Sequence, residues 1–266
     1  MAQTGTRPLA LVTGASSGIG FELAKQFADH GFDLVVAAED DELADAAREL
    51  AARGVQVEPV RVDLSHGEGV DELYQHVVQV GRPLDAAALN AGIGSGGGFD
   101  ETSLEQELRL VDLNVRSTVQ LAKYVTRDMA ARGAGRILFT SSIASTMPGT
   151  YSAVYNASKS FVQYFALALR AELADRGVSV TSLMPGPTET EFFERAGMTN
   201  TKLGSSDKDD PADVARDGFE ALMASKERVV SASLKTKVQG RAGRLVPDSV
   251  KARMHREQAR PGSGVS

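Results

Sequence analysis

The run Tyr155-Asn156-Ala157-Ser158-Lys159 sets a phenol four residues before an ammonium group. That spacing puts both side chains on one face of a helix, where they can reach a single ligand. Far upstream, Thr13-Gly14-Ala15-Ser16-Ser17-Gly18-Ile19-Gly20 forms a glycine-rich turn. Gly14 permits a tight turn, and Gly18 leaves room for phosphates to approach the backbone. The free N–H groups and positive end of the helix that follows then face a pyrophosphate. A free tyrosine titrates near ~10, too high for a proton acceptor at neutral pH. One ammonium ~4 Å away supplies about 4 kcal/mol at an effective dielectric of ~20, enough to lower that value by ~2–3 units. The chemistry indicated is proton transfer beside a bound dinucleotide.

These groups need a rigid frame, and the hydrophobic pattern supplies one. Short apolar runs at 9–13, 33–38, 56–62, 85–89, 136–141, 178–184 and 228–232 read as strands. Amphipathic segments at 18–29, 40–53, 67–80, 103–131, 151–176 and 211–225 read as helices between them, several ending in glycine (Gly31, Gly54, Gly81, Gly177). Near-continuous apolar strands alternating with helices predict a parallel sheet covered on both faces. In such sheets ligands bind beyond the carboxyl ends of the strands. Two loops belong there: 92–100, with five glycines, and 185–210, long enough to act as a lid.

Composition narrows the function. The 266 residues carry no cysteine, which excludes disulfides, thiol nucleophiles and cysteine-ligated metal centres. The four histidines (His30, His66, His76, His255) are scattered, form no ligand pattern and are expected at the surface, so no metal site is predicted. A net charge of −6 argues against nucleic-acid binding. No apolar stretch is long enough to span a membrane, and 1–8 lacks the apolar core of a secretory signal, so a cytoplasmic location is expected. From 235 to 260 the chain carries eight Lys and Arg against Asp248 and Glu257, a net of +6. This tail is expected to fold against the body, with Val250 and Met254 sharing one helical face; a surface for an anionic substrate or partner is the alternative.

The second strand ends Ala37-Ala38-Glu39-Asp40. An acid there accepts hydrogen bonds from an adenosine ribose and repels a 2′-phosphate, which favours NAD with NADP possible. Neither the glycine turn nor the residues directly after this strand include Lys or Arg. The competing reading makes Asp40 a helix N-cap and leaves Glu39 solvated.

Together with Val62-Asp63-Leu64, Asn90-Ala91-Gly92, Asn114, Ser141-Ser142 and Pro185-Gly186 followed by Thr190, these residues stand in a specific order. From about residue 9 to about 230 the chain resembles the short-chain dehydrogenase/reductase superfamily. The resemblance implies a Rossmann-type, doubly wound α/β fold with a mostly seven-stranded parallel sheet and a single domain. That domain would run from 1 to 232 and include the lid, with 233–266 as a basic extension. Asp63 would hold the adenine with the Leu64 backbone beside it, and Asn90, Ala91 and Gly92 would line the adenosine ribose. Gly14, Ser16, Ser17, Gly18, Ile19 and Gly20 would cradle the pyrophosphate. Pro185, Gly186, Thr188 and Thr190 would meet the nicotinamide end.

The family serine lies thirteen residues before the tyrosine, which selects Ser142. Asn114 would support a water-linked proton path, and Lys159 would also orient the nicotinamide ribose. Two departures stand out: Leu89 precedes Asn90 where the family often has asparagine, and Ala38 stands where it usually has aspartate. The implied function is hydride transfer between a nicotinamide cofactor and a secondary alcohol or ketone. The competing functions are a catalytically silent dinucleotide-binding regulator and a reductase of acyl-thioester ketones. A homodimer or homotetramer is implied through the long helices at 103–131 and 151–176.

Overall fold

The structure is a computed structural model that describes residues 7–231 and 246–264. Residue 232, the basic residues Lys235, Lys237, Arg241 and Arg244, and the first six residues lie outside the described residues. Within them seven parallel strands form one sheet in the order β3-β2-β1-β4-β5-β6-β7. The strands are β1 (Leu9–Thr13), β2 (Asp33–Ala38), β3 (Val57–Arg61), β4 (Ala86–Leu89), β5 (Gly135–Thr140), β6 (Val178–Pro185) and β7 (Arg228–Ser231). The helices are α1 (Gly18–Asp29), α2 (Leu43–Ala51), α3 (Gly67–Gln79), α4 (Leu104–Val111), α5 (Thr118–Arg132), α6 (Ala153–Leu173), α7 (Phe192–Arg195), α8 (Pro211–Met223) and α9 (Asp248–Ala259). The expected doubly wound architecture is what the chain adopts.

Alternation along each strand builds two cores. Leu9 and Leu11 of β1 face α3, α5 and α6, packing with Leu73, Val125 and Val162. Ala10 and Val12 face the other way, packing with Leu23 and Phe27 of α1, Leu50 of α2 and Phe219 of α8. Both faces of the central strands are therefore apolar, which is why their sequences read as unbroken hydrophobic runs. β3 is an edge and shows it: Glu58, Pro59 and Arg61 are exposed. Strand order reverses between β1 and β4, which pair Val12 with Ala88. The cleft beyond their carboxyl ends is the switch point where ligands bind in such sheets.

Three expectations need correction. The segment 103–131 is interrupted by a π-helical stretch at Asp112–Ser117, whose wider turn presents Asn114 to the cleft. The second helix begins at Leu43 with Glu42 as its N-cap residue, so Asp40 is not the cap. In α9, Val250 and Met254 face outward, while His255 and Ala259 are the buried pair; His255 is thus a core residue and not a surface one. Among the described residues no helix is long and apolar enough to cross a membrane, and no cluster of three His, Asp or Glu could hold a metal ion.

Phe27 is fully buried and meets Phe32 and Phe219 edge-on at 5.2 and 5.1 Å. It knits α1 and α8 over one face of the sheet. Phe27→Ala is expected to cost about 3–5 kcal/mol, read as a lower urea midpoint. A loss under about 1 kcal/mol would show that this aromatic cluster is not the anchor of that layer.

Candidate active site

The site grows from the ends of β1, β4 and β5. Thr13 closes β1, and its hydroxyl oxygen accepts the N–H groups of Asn90 and Ala91, each at 3.0 Å. The Asn90 amide donates to the Thr13 carbonyl at 3.1 Å, and its oxygen accepts from the Thr140 hydroxyl at 2.9 Å. Asn90 thus ties three strand ends together. The glycine turn sits on this platform. A Cβ on Gly14, which has φ +66°, would come within 3.0 Å of the Ala91 Cα. A Cβ on Gly20 would overlap the Gly14 carbonyl at 1.9 Å, so the turn closes only with bare residues. Ser17 precedes α1 without capping it through its side chain, leaving the first-turn N–H groups for a ligand. Ile19 packs into the adjoining core.

The adenosine side is acidic, but not as the sequence suggested. Asp40 turns back to accept a hydrogen bond from the Ser16 hydroxyl at 2.9 Å. Its other carboxylate oxygen is buried without a partner among the described residues. Glu39 pairs with Arg109 of α4 at 2.5 Å, and the same guanidinium lies 3.6 Å from Asp63. Arg61 donates to the Glu39 carbonyl at 3.1 Å. Partial burial works to raise the Asp63 carboxyl, but hydrogen bonds from Ser65 and the Arg109 charge hold it below the ordinary value. Leu64 is buried beside it. Arg109 is a residue that sequence reasoning missed. It stands seventy positions from Glu39, and nothing in the local pattern marks it.

At the other end of the cleft stand the phenol and the amine. Tyr155 lies in the first turn of α6 and Lys159 one turn later, with its ammonium 5.9 Å from the centre of the Tyr155 ring. Lys159 is buried and donates to the Thr140 carbonyl at 3.0 Å. The two serines at the end of β5 face opposite ways. Ser141 donates to the Lys159 carbonyl at 2.9 Å, while Ser142 hydrogen-bonds the Tyr155 phenol and accepts from the Ala144 N–H at 3.1 Å. Asn114 is held across the cleft by Ile93, donating to its carbonyl and accepting its N–H, both at 2.9 Å; it also donates to Ser158 at 3.1 Å. Gly92 lies between. A Cβ there would stand 2.9 Å from the Asn114 oxygen and 3.2 Å from the Lys159 nitrogen, so its absence keeps a polar gap open.

The titration of the pair departs from expectation. Burial pushes the Tyr155 phenol up to about 12, with the Ser142 hydrogen bond pulling the other way. Burial also brings the Lys159 amine down to about 8. Without a ligand the tyrosine is therefore a protonated group, not the acidified one the spacing alone predicted. The physical reason is desolvation, which penalises both charged forms.

The lid segment reaches over this cleft. Pro185 ends β6, and the Gly186 N–H donates to Ser231 at 3.0 Å. Thr188 is buried, and Thr190 touches the Gly18 turn closely enough that a Cβ on Gly18 would meet its methyl at 2.9 Å. Phe192 of α7 lies against Tyr155 with ring centres 5.2 Å apart. Its tip fills the space beside Gly94, and Met198 fills that beside Gly96. The structure thus brings the glycine turn, Asn90–Gly92, Asn114, Ser142, Tyr155, Lys159 and Thr190 into one crevice, while Glu39 and Asp63 stand at its far end on either side of Arg109 and the Leu64 side chain packs into the core.

A parallel doubly wound sheet with a bare turn on its first strand defines a dinucleotide-binding α/β protein. Residues 8–201 match the model of the short chain dehydrogenase family, and the chain belongs to that family. It is thereby an NAD(P)-dependent oxidoreductase. An uncharacterized oxidoreductase of Staphylococcus saprophyticus is 32% identical over 216 residues, covering 80% of this chain and 90% of that protein. EphD of Mycobacterium tuberculosis, a probable oxidoreductase, is 35% identical over 192 residues, 71% of this chain; the chain spans about a third of EphD's length, 32%. A short-chain dehydrogenase from Sphingobium yanoikuyae, solved in complex with NADPH, superposes with a TM-score of 0.80 at 27% identity, covering 89% of this chain and 93% of that one.

A buried ammonium with no counter-ion among the described residues burdens the fold. With its amine at about 8 instead of 10.5, Lys159 costs the folded state about 3 kcal/mol at neutral pH. That cost is present in full below pH about 8 and is relieved as pH rises from there towards 10.5, where the unfolded chain also loses its proton. Lys159→Met is therefore expected to melt higher than the parent at pH 7, with the gap narrowing by pH 10. A variant that melts lower at pH 7 would show that the lysine is a net stabiliser.

Proposed function

We propose that this protein moves hydride between NAD(P) and a secondary alcohol or its ketone, with Tyr155 as the proton donor or acceptor. The observation that carries the reading is the convergence of the Tyr155 phenol, the Ser142 hydroxyl and the buried Lys159 amine beside a bare Gly92. The residues fit a dinucleotide: the bare glycine turn leads into α1, whose first N–H groups have no side-chain cap, and Lys159 is a desolvated cation awaiting an electron-rich partner. When bound, the nicotinamide cofactor gives or takes the hydride. Ser142 holds the substrate oxygen by hydrogen bond. Tyr155 donates its proton to that oxygen in reduction and takes it back in oxidation. Lys159 steadies the phenolate and the nicotinamide ribose. Asn114, across the Gly92 gap, anchors water that returns the proton towards solvent. Thr188 and Thr190 meet the carboxamide. A regulator that only sensed the dinucleotide would need none of this proton machinery.

Tyr155→Phe leaves the packing intact and removes the proton. It is expected to bind NAD(P)H as the parent does, measured by thermal shift, while kcat with a panel of simple ketones falls at least ~10²-fold. Parent-like turnover would refute the assignment.

At the adenosine end, Glu39 favours a ribose hydroxyl over a 2′-phosphate, which supports NAD, while Asp40 is turned back to Ser16 and contributes its charge alone. The Sphingobium relative was solved with NADPH, and here Arg109 pairs with Glu39. Glu39 sets the preference and Arg109 limits its strength. Glu39→Gln removes the repulsion and releases Arg109, and should shift the kcat/KM ratio towards NADP(H) by at least ~10-fold. Arg109→Gln should shift it towards NAD(H). Stabilisation of the parent by the phosphorylated pair alone would overturn the reading.

The exposed Leu104, Leu108 and Val111 on α4, beside Phe161 and Tyr164 on α6, support a subunit contact along these helices.

A further inference from the structure

The match to the family ends at residue 201, and α9 lies well beyond it. This helix grips the protein at two places, both of which flank the cleft. The first is Thr150, five residues before Tyr155. Its hydroxyl donates to the Ala252 carbonyl at 2.9 Å, and its carbonyl accepts from Nδ1 of the buried His255 at 2.8 Å. The next residue, Tyr151, holds φ at +65°, a conformation that side-chain-bearing residues rarely adopt. Its carbonyl accepts from the Gly97 N–H at 2.9 Å, which joins the same spot to the glycine-rich loop.

The second grip, made by Gln258 of α9 and by Ser263 and Gly264 just past its end, is on the lid. The Leu203 N–H donates to the Gln258 carbonyl at 3.0 Å, the Lys202 N–H to the Ser263 hydroxyl at 3.1 Å, and the Gly264 N–H to the Asn200 carbonyl at 2.9 Å. Between the two grips lies one apolar cluster: Tyr151, Phe192, Phe193, Met198, Leu203 and Ala259. Its Phe192 is the ring that rests on Tyr155.

We infer that α9 is a clasp that sets the substrate wall of the cleft, with His255 as the positioning residue that latches it to Thr150. The inference rests on the hydride-transfer reading for its consequence, though not for its geometry. A residue at positive φ persists only where its surroundings dictate it, and here α9 holds Thr150, just before Tyr151, at both its hydroxyl and its carbonyl. The wall so fixed is apolar, so the substrate class it selects is an alcohol or ketone with an apolar substituent, which takes the place of the Phe192 ring over Tyr155. Within this cluster the Tyr151 hydroxyl is the polar group a substituent could meet, so a bulky polar or charged substituent is disfavoured. His255 touches neither cofactor nor reacting atoms; it acts through the Thr150–Tyr151 backbone.

The test uses the whole chain. His255→Ala removes the donor, and His255→Asn restores an N–H at the same remove from Cα as Nδ1. Hydrogen exchange of the ligand-free protein is expected to rise at least ~10-fold over 150–152 and 198–204 in His255→Ala, with β1 and α1 unchanged, and to return towards the parent in His255→Asn. With the best ketone from the panel above, the KM of His255→Ala should rise at least ~5-fold while kcat and the nucleotide KM stay within ~2-fold. Exchange that is unchanged, or raised evenly across the chain, would overturn the clasp, as would an unchanged ketone KM in a loosened variant. If the parent turns over no ketone, the hydride-transfer reading fails, and the exchange result alone decides the clasp.

Discussion

The interaction on which the cleft depends is the hydrogen bond from the buried Lys159 ammonium to the Thr140 carbonyl. It joins α6 to the end of β5 and fixes where the only buried cation of the crevice stands among the described residues. One neutral carbonyl does not offset the loss of water around an ammonium, and the lowered amine is the measure of the shortfall. A fold tolerates such a group where a ligand later supplies the missing partner. The neighbouring choices follow from this. Gly92 must lack a side chain to leave the ammonium a free side. Ser141 fastens the backbone of Lys159 from behind. Asn114 is brought up on a π-helical turn to face the same gap.

Much of this was legible in the sequence because it rests on local rules. Strand periodicity, the glycine turn and the four-residue step from Tyr155 to Lys159 all depend on neighbours in the chain, and the structure draws those elements where the pattern puts them. The choice between Ser141 and Ser142 is also local, since successive strand residues face opposite ways. What escaped were contacts made across the fold. Arg109 reaches Glu39 from α4, and His255 reaches Thr150 over a hundred and five positions. No periodicity encodes either. Asp40 shows the same limit: neither the ribose-facing acid nor the competing helix cap that its position suggests foresees that the Ser16 hydroxyl of the glycine turn claims its carboxylate.

The lid shows how composition can mislead about mobility. Its length and its polar run suggest a free flap, yet Phe192 and Met198 are seated against Gly94 and Gly96, and α9 holds its outer half. The five glycines of the 92–100 loop look like flexible connection in sequence. In the fold at least two of them form a surface flat enough to receive apolar side chains. Under the proposed reading, specificity in this cleft is a matter of which apolar groups can displace Phe192.

The order of the two titrations bears on direction. With the phenol at about 12 and the amine at about 8, the tyrosine at neutral pH carries its proton and the lysine is mostly charged. Under the proposed chemistry that is the state that donates to a ketone. To serve as a base at neutral pH the phenol must fall by some four to five units, about 6 kcal/mol. The ammonium, 5.9 Å from the ring centre, supplies about 3 kcal/mol at an effective dielectric of ~20. Under the proposed chemistry the remainder has to come from the positive charge of an oxidised nicotinamide, because the value of about 12 already includes the pull of the Ser142 hydrogen bond. The base therefore forms only when the oxidant is already in place, and a tyrosine that is poorly acidic on its own is what couples proton transfer to cofactor binding.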